Sequence, residues 1–274
     1  MNLIATAHGA AFSAANLSFG YGAGPEIFQG LSFRTEPGEF VALLGPSGCG
    51  KTTILNLLSG FLAPKRGAVL INGRPVSPET AELGYVFQSP HLFPWLSVLE
   101  NVRFGLRMAG RLDGRAQIAH ARRYLALVGL EHLSDELPHR LSGGQRQRVS
   151  IARSLALEPG LLLMDEPFSA LDAITRIELN EELLRLWSAL GQTILFITHD
   201  IDEAIFLADR VIVLGLPPSG IYREVAIDLP RPRDRPHTRS LPRFAEYGEM
   251  LMDHIAAVMK AAPSSGRIAQ RNFA

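Results

Sequence analysis

The residues best suited to phosphate chemistry lie at positions 45–53, which read GPSGCGKTT. The segment follows the apolar run FVALL and precedes ILNLL, so it predicts a turn between a buried strand and a helix. Glycines let consecutive backbone N–H groups point at phosphate oxygens, and the start of a helix adds its positive dipole end. The spacing of Gly45, Gly50, Lys51 and Thr52 therefore predicts a phosphate-binding loop.

The polar side chains of this loop have distinct predicted tasks. Lys51 supplies a mobile positive charge for the β- and γ-phosphates, and Thr52 supplies a hydroxyl ligand to Mg²⁺. Cys49 is interpreted as a small side chain tolerated in the loop, the alternative being a redox-sensitive thiol. The loop residues predicted to contact nucleotide are Gly45, Pro46, Ser47, Gly48, Cys49, Gly50, Lys51, Thr52 and Thr53.

Two acidic residues follow an apolar run that is typical of a buried parallel strand. The run reads LLLMD at positions 161–165, and Glu166 comes next. Asp165, at the carboxyl end of this strand, is predicted to orient Mg²⁺. If neighbouring residues point apart, Glu166 faces the γ-phosphate instead and can polarise water as a general base.

A histidine ends the next apolar strand, predicted over residues 193–198. A lone histidine is usually structural. His199, however, follows a third strand end, beside two others that carry phosphate-site groups, and this placement favours a catalytic role.

A second anion site is indicated at residues 141–145, which read LSGGQ. Ser142 is a good N-cap residue for the helical run that follows, and Gly143 and Gly144 expose backbone N–H groups at the helix start. Because the first loop already holds the phosphates, this second helix start suggests contact with a nucleotide held by another copy of the chain.

Two aromatic features leave more than one interpretation open. Tyr21 lies between two glycines, where it is either a stacking platform for a base or an ordinary strand-end aromatic. Residues 89–98 read SPHLFPWLSV, too broken by proline for regular structure and too apolar for a plain solvated loop. A loop tucked onto its own core is one explanation. An exposed patch around Phe93, Trp95 and Leu96 that receives a partner is the favoured one.

The order of elements predicts the domain organisation. Residues 1–11 are predicted to form a loose arm, 12–230 one large domain, and 231–274 a linker, a helix and a loose tail. Residues 11–19 are predicted to form an edge strand of an antiparallel sheet, and residues 88–158 a helical insert with a solvated arginine-bearing face. The proline- and arginine-rich residues 230–236 are predicted to be a solvated linker.

Composition narrows the classes of function. The 274 residues carry 27 basic and 27 acidic side chains, so no global positive field would attract a nucleic acid. The single cysteine excludes an internal disulfide and fits a reducing compartment. No uncharged apolar run reaches the length of about 18 residues expected of a membrane span. The N-terminus lacks the basic start expected of a secretory signal.

Taken together, these motifs resemble the ATP-binding subunit of an ABC transporter over about residues 12–230. The resemblance implies an α/β fold: a P-loop NTPase core sheet with an antiparallel β subdomain and an inserted α-helical subdomain. It makes residues 45–53 the Walker A loop, 141–145 the ABC signature, and 161–166 Walker B with its catalytic glutamate. Further roles that it implies are adenine stacking for Tyr21, γ-phosphate and Mg²⁺ sensing for Gln88, and ATP binding for Ser142, Gly143, Gly144, Gln145 and Asp172.

The resemblance also implies partners and a place of action. Two copies would pack head to tail around two ATP molecules, and two permease subunits would dock near residues 93–96, with an extracytoplasmic substrate-binding protein acting indirectly. The chain would then lie on the cytoplasmic face of the bacterial inner membrane. The stretch FPWLSVLENV at positions 93–102 is similar to the nitrate, sulfonate and taurine importer branch. The alternatives are a soluble, non-transport ABC ATPase of DNA repair or translation, and a P-loop kinase or GTPase outside the family.

Overall fold

A computed structural model describes residues 9–77, 79–80 and 82–261 of the chain. Its strands are β1 (Phe12–Phe19), β2 (Phe28–Thr35), β3 (Phe40–Leu44), β4 (Arg66–Ile71), β5 (Arg74–Pro75), β6 (Leu83–Val86), β7 (Leu161–Asp165), β8 (Thr193–Thr198), β9 (Arg210–Leu214) and β10 (Ile221–Ala226). Its helices are α1 (Lys51–Leu58), α2 (Val98–Met108), α3 (Gly114–Leu127), α4 (Gly143–Leu155), α5 (Ala173–Leu190), α6 (Ile201–Leu207), α7 (Arg235–Ser240) and α8 (Pro242–Lys260). Short 3₁₀ turns at Glu131–Leu133 and Pro138–Arg140 precede α4.

The core sheet brings three predicted chemical segments to one edge. Its strand order is β10-β9-β3-β8-β7-β6, and all neighbours are parallel except β10 with β9. β3 and β8 are buried along their whole length, and β7 is buried up to Asp165. Since β3, β7 and β8 run the same way, the phosphate loop, Glu166 and His199 all follow carboxyl ends at the same sheet edge.

The second sheet is antiparallel, as expected, but β1 lies inside it. The strand order is β2-β1-β4-β5, with β1 paired to β2 on one side and β4 on the other. The prediction of an edge strand for residues 11–19 is therefore wrong. Its weak alternation comes from bulges near Asn16, which has a φ of 51°, rather than from an exposed edge. Asn72 and Gly73 form the hairpin turn between β4 and β5, with φ values of 49° and 76° that suit a type I′ turn.

The hydrophobic core has one layer on each face of the parallel sheet. On one face, side chains of β3, β7 and β8 pack with α1 and the antiparallel sheet. On the other, they pack with α2–α6 and α8. The elements from α2 to α4 lie between β6 and β7, as the predicted helical insert requires. Within the described ranges, no helix is both long and apolar enough to cross a lipid bilayer.

The end of the predicted N-terminal arm packs against the core domain. Ala10 is buried, and its carbonyl accepts a hydrogen bond from Thr193 Oγ1 at 2.8 Å, so the end of the predicted N-terminal arm is fixed. Residues 1–8 of that arm and the predicted tail, residues 263–274, lie outside the described residues.

The prediction of a solvated linker at residues 230–236 is wrong. Arg233 is 7% exposed, and its guanidinium donates to the carbonyls of Ile205, Phe206 and Ala208 at the end of α6. Burial lowers the pKa of Arg233 to about 10. Arg231 pairs with Asp209 at 2.7 Å. This segment therefore anchors α7 and α8 to the core domain.

Candidate ATP-binding and hydrolysis site

Two glycines of the phosphate loop are required by close packing. Gly50 precedes α1 with a φ of 95°, and a Cβ there would lie 2.4 Å from Cζ of Phe28. A Cβ on Gly45 would lie 2.8 Å from Cys49 Sγ. Any larger residue at either position would push the loop away from the strand–helix junction. The loop geometry predicted from the spacing is therefore enforced by its neighbours.

Lys51 is held inside the site by the loop itself. It opens α1 and is 8% exposed, with Nζ donating to the carbonyls of Gly45 at 2.8 Å and Pro46 at 3.2 Å. The same Nζ lies 4.0 Å from Glu166 Oε1. The ammonium group thus lies between the phosphate loop and the predicted general base.

Two of the residues predicted to hold Mg²⁺, Thr52 and Asp165, lie close to each other across the gap between α1 and β7. Burial raises the pKa of Asp165, and hydrogen bonding from the Thr52 hydroxyl opposes that rise. In the described part of the chain, no group of three or more His, Cys, Asp or Glu side chains could hold a metal. One carboxylate and one hydroxyl fit Mg²⁺, which keeps several waters and takes further ligands from phosphates.

Glu166 and His199 form a hydrogen-bonded pair at the edge of the site. His199 Nδ1 lies 3.0 Å from Glu166 Oε2, and since a carboxylate only accepts, Nδ1 carries the proton. His199 is largely exposed, whereas the Glu166 side chain is 20% exposed. Glu166 has a φ of 42°, so a left-handed turn after β7, rather than strand alternation, separates its direction from that of Asp165.

Gln88 reaches this pair through Ser169, the first residue of the stretch 169–172 that the family resemblance identifies as the D-loop. Gln88 Nε2 donates to Ser169 Oγ at 3.1 Å, and Ser169 Oγ donates to the Glu166 carbonyl at 2.9 Å. Gln88 is therefore one side chain away from the backbone of Glu166. Nothing in the sequence indicated that the Ser169 side chain would join Gln88 to Glu166.

Tyr21 contacts the end of the phosphate loop at Thr53, and Cys49 lies within the loop. The Tyr21 ring is 55% exposed and stands edge-on to Phe19, with its hydroxyl 3.2 Å from Thr53 Oγ1. An open aromatic face beside α1 is compatible with base stacking, which remains a prediction. Cys49 is fully buried, and burial raises the pKa of its thiol. Both facts support the interpretation of Cys49 as a small packing residue.

The second predicted anion site is well formed but separate from the first. Ser142 caps α4 in a capping box with Gln145, and its side chain is exposed. A Cβ on Gly144 would lie 2.6 Å from Thr175 Cγ2, so glycine is needed where α4 meets α5.

Asp172 caps α5 by accepting from the Thr175 backbone N–H at 3.0 Å. Hydrogen bonds from Thr175 lower the pKa of Asp172. Across the described residues, no hydrogen bond or ion pair joins Ser142 to Lys51, Glu166 or His199.

The parallel sheet, the phosphate loop and the acidic strand end define a P-loop nucleoside triphosphatase with an inserted helical segment. Comparison with known proteins makes the class specific. Residues 28–169 match the ABC transporter family, and the chain belongs to it. It is an ATP-binding protein and an ATPase of that family.

Several relatives resemble most of the chain. The taurine import ATP-binding protein TauB of Pseudomonas aeruginosa is 44% identical over 239 residues, which are 86% of this chain and 90% of that protein. The aliphatic sulfonates import ATP-binding protein SsuB 1 of Xanthomonas axonopodis pv. citri is 45% identical over 210 residues, covering 77% and 83%. An uncharacterised ABC transporter ATP-binding protein of Methanocaldococcus jannaschii is 46% identical over 86% of this chain and 88% of its own length.

Solved structures share the fold. CbiO1 from Clostridium perfringens, described as part of the ABC transporter complex CbiONQ, has a TM-score of 0.74 and 28% identity, over 91% of this chain and 98% of that one. A dimeric ATP-binding cassette bound to ADP and Pi has a TM-score of 0.67 and 32% identity, over 79% of this chain and 98% of its own. The predicted fold class is confirmed.

Proposed function

We propose that this chain is the ATP-hydrolysing subunit of an importer for taurine or a related sulfonate. Nitrate is the alternative cargo. The observation that carries the proposal is the assembly of the phosphate loop, Asp165, Glu166 and His199 at one sheet edge in a chain related to TauB and SsuB. The loop and Lys51 bind the phosphates of ATP, and Tyr21 stacks on its adenine ring.

Hydrolysis follows from the neighbours of Glu166. Its carboxylate accepts a proton from the attacking water as that water approaches the γ-phosphate. His199 donates through Nδ1 and fixes the direction of the carboxylate. Lys51 offsets negative charge on the phosphate oxygens. Thr52, Asp165 and Gln88 would hold Mg²⁺, which when bound neutralises the charge on the β- and γ-phosphates.

A complete site needs a second copy of the chain. Ser142 to Gln145 present a capped helix start to solvent, and no contact ties them to the chain's own phosphate loop among the residues that the structure describes. A head-to-tail pair would place this helix start against the γ-phosphate held by the other copy, where its backbone N–H groups suit an anion. A related cassette bound to ADP and Pi is dimeric, which supports an assembly of two copies.

The permease would dock on the loop that follows Gln88. Trp95 is 73% exposed, while Phe93 and Leu96 are half-buried beneath it. Buried Asn101 fixes this loop, because its amide accepts from the Phe93 N–H at 2.8 Å and donates to the carbonyls of Leu96 and Ser97 at 3.0 Å. An apolar cavity of about 450 Å³, lined by residues such as Phe87, Phe93 and Phe104, opens beside it. A pre-ordered apolar surface of this kind suits a protein partner.

Removing the exposed indole should weaken docking without affecting the nucleotide. In Trp95→Ala we expect unchanged ATP binding and at least about tenfold weaker association with the permease subunits, because tryptophan is enriched among interface residues that contribute about 2 kcal/mol or more. Co-purification of the permease with the tagged chain measures this. The control is Tyr222→Ala, which removes an exposed aromatic from β10 on a different element. Undiminished co-purification of the Trp95 variant would contradict the docking surface.

Transport of labelled solutes tests the cargo. Deleting the gene should abolish most high-affinity uptake of taurine or an alkanesulfonate, and the parental chain should restore it while Glu166→Gln should not. Nitrate uptake, measured in parallel, separates the two solute classes. Normal uptake of all three solutes after deletion would overturn the importer proposal and favour a non-transport ATPase.

A further inference from the structure

The turn that carries His199 is held by a buried polar chain. Thr198 Oγ1 donates to Glu203 Oε2 at 2.6 Å and accepts from the Asp200 N–H at 3.0 Å. Glu203, in the first turn of α6, accepts from Asn180 Nδ2 of α5 at 3.3 Å. Thr198, Glu203 and Asn180 are each no more than 5% exposed. The residues on both sides of His199 are therefore fixed from beneath.

One arginine joins this turn to the segment that follows Glu166. Arg176 lies one helical turn before Asn180, and its guanidinium reaches in two directions. Nη2 donates to the Leu171 carbonyl at 3.0 Å, and Nη1 lies 3.5 Å from Asp200 Oδ2. Leu171 belongs to residues 169–172, which begin with the Ser169 that hydrogen-bonds Glu166.

The contacts around the hydrolytic pair therefore form a closed path. Glu166 contacts His199 at 3.0 Å, and Asp200, the next residue after His199, contacts Arg176. Arg176 in turn donates to the Leu171 carbonyl. Leu171 lies in the same short segment as Ser169, whose hydroxyl donates back to the Glu166 carbonyl. The backbones of the neighbouring strands stay paired up to the hydrogen bond from the Glu166 N–H to the Ile197 carbonyl at 3.0 Å, and the 59% exposed side chain of His199 lies two residues beyond that bond. A guanidinium with donors in a rigid fork can fix two segments at once.

We propose that Arg176 and Glu203 are positioning residues for ATP hydrolysis, which hold His199 at hydrogen-bonding distance from Glu166. The inference rests on the roles proposed above for Glu166 and His199. Arg176 fixes the two segments relative to each other, and Glu203 fixes the Thr198 side of the turn. Neither residue touches nucleotide, so their loss should lower the turnover of bound ATP rather than its binding.

The first test compares steady-state hydrolysis with equilibrium binding of a labelled ATP analogue. Arg176→Met should lower kcat by about 10- to 100-fold, the range for a small displacement of a catalytic group, with an unchanged dissociation constant for the analogue. Arg103→Met is the matched control. Arg103 is a similarly half-buried guanidinium that joins α2 to α3 by bonding Gln117 and Glu100, far from the hydrolytic pair. The Arg103→Met variant should have a lower melting temperature but an unchanged kcat per binding site.

A conservative replacement separates positioning from simple packing at Glu203. Glu203→Met removes both hydrogen-bond acceptors and should lower kcat in the same way as Arg176→Met. Glu203→Gln should restore near-parental kcat, because Asn180 Oδ1 has no partner among the described residues and can accept from the new amide after turning. Equal kcat values for Met and Gln at position 203 would overturn the role of Glu203.

The decisive measurement is a double-mutant cycle with His199→Ala. If Arg176 acts through His199, Arg176→Met should cause little further loss of kcat in the His199→Ala background. An equal fold-loss in both backgrounds would overturn the inference. If His199→Ala lowers kcat but Arg176→Met does not, the positioning role of Arg176 is refuted while the proposed role of His199 stands. A fully active His199→Ala enzyme would refute the proposed role of His199 itself.

Discussion

Glu166→Gln is expected to lower ATP turnover by about 10²- to 10⁴-fold while ATP remains bound, because a positioned general base contributes about that much. Glutamine has the shape of glutamate, and its amide oxygen can still accept from His199 Nδ1, now 3.0 Å from the carboxylate. It cannot accept a proton from water. The phosphate loop and the Thr52–Asp165 pair are unchanged, so the affinity for ATP should be preserved.

The measurements are single-turnover hydrolysis, ATP-analogue binding and the size of the complex in solution. We expect the variant to form a long-lived dimer with ATP, because binding promotes closure and hydrolysis no longer reverses it. Glu178→Gln is the control, since Glu178 is an exposed carboxylate on α5 at 3.9 Å from Arg148. A turnover rate equal to that of the parent would refute the assignment of Glu166 as general base.

The site was predictable from the sequence where its determinants are local. The phosphate loop depends on glycines within one turn, and close contacts such as that of Gly50 with Phe28 only enforce what the spacing demands. The meeting of Asp165 and His199 at one edge follows from buried apolar runs that each end in a polar residue. Because these strands are parallel, their carboxyl ends lie at the same edge of the sheet.

The remaining features depend on contacts between residues distant in sequence. Arg233 lies in a segment whose composition is typical of a solvated linker. Its hydrogen-bond acceptors, however, are backbone carbonyls at the end of α6, which come together only in the folded chain. β1 was placed at an edge because alternation does not reveal whether a strand has one neighbour or two. Arg176 resembles any surface arginine on α5, and only the tertiary structure shows that it joins Leu171 to Asp200.

Two inactive chains should restore each other's activity if the catalytic centre is shared between copies. Lys51→Ala removes phosphate binding from one chain. Ser142→Asp places a negative charge against the γ-phosphate in the other, yet aspartate is as good an N-cap as serine, so α4 should be retained. In a twofold dimer of the two, one site contains both changes and the other contains neither. Random pairing then leaves about a quarter of all sites intact, so the mixture should reach up to about a quarter of the parental rate.

The restored rate depends on which copy supplies Ser142. If Ser142 serves the phosphate loop of its own chain, each mutant chain has a damaged site in every pairing, and mixing gives no recovery. The control mixes the Lys51→Ala chain with a chain that carries both substitutions, since no pairing of these has an intact site. Recovery in the first mixture and none in the control would identify the shared centre. We expect recovery because, among the residues that the structure describes, no hydrogen bond joins Ser142 to Lys51 of the same chain.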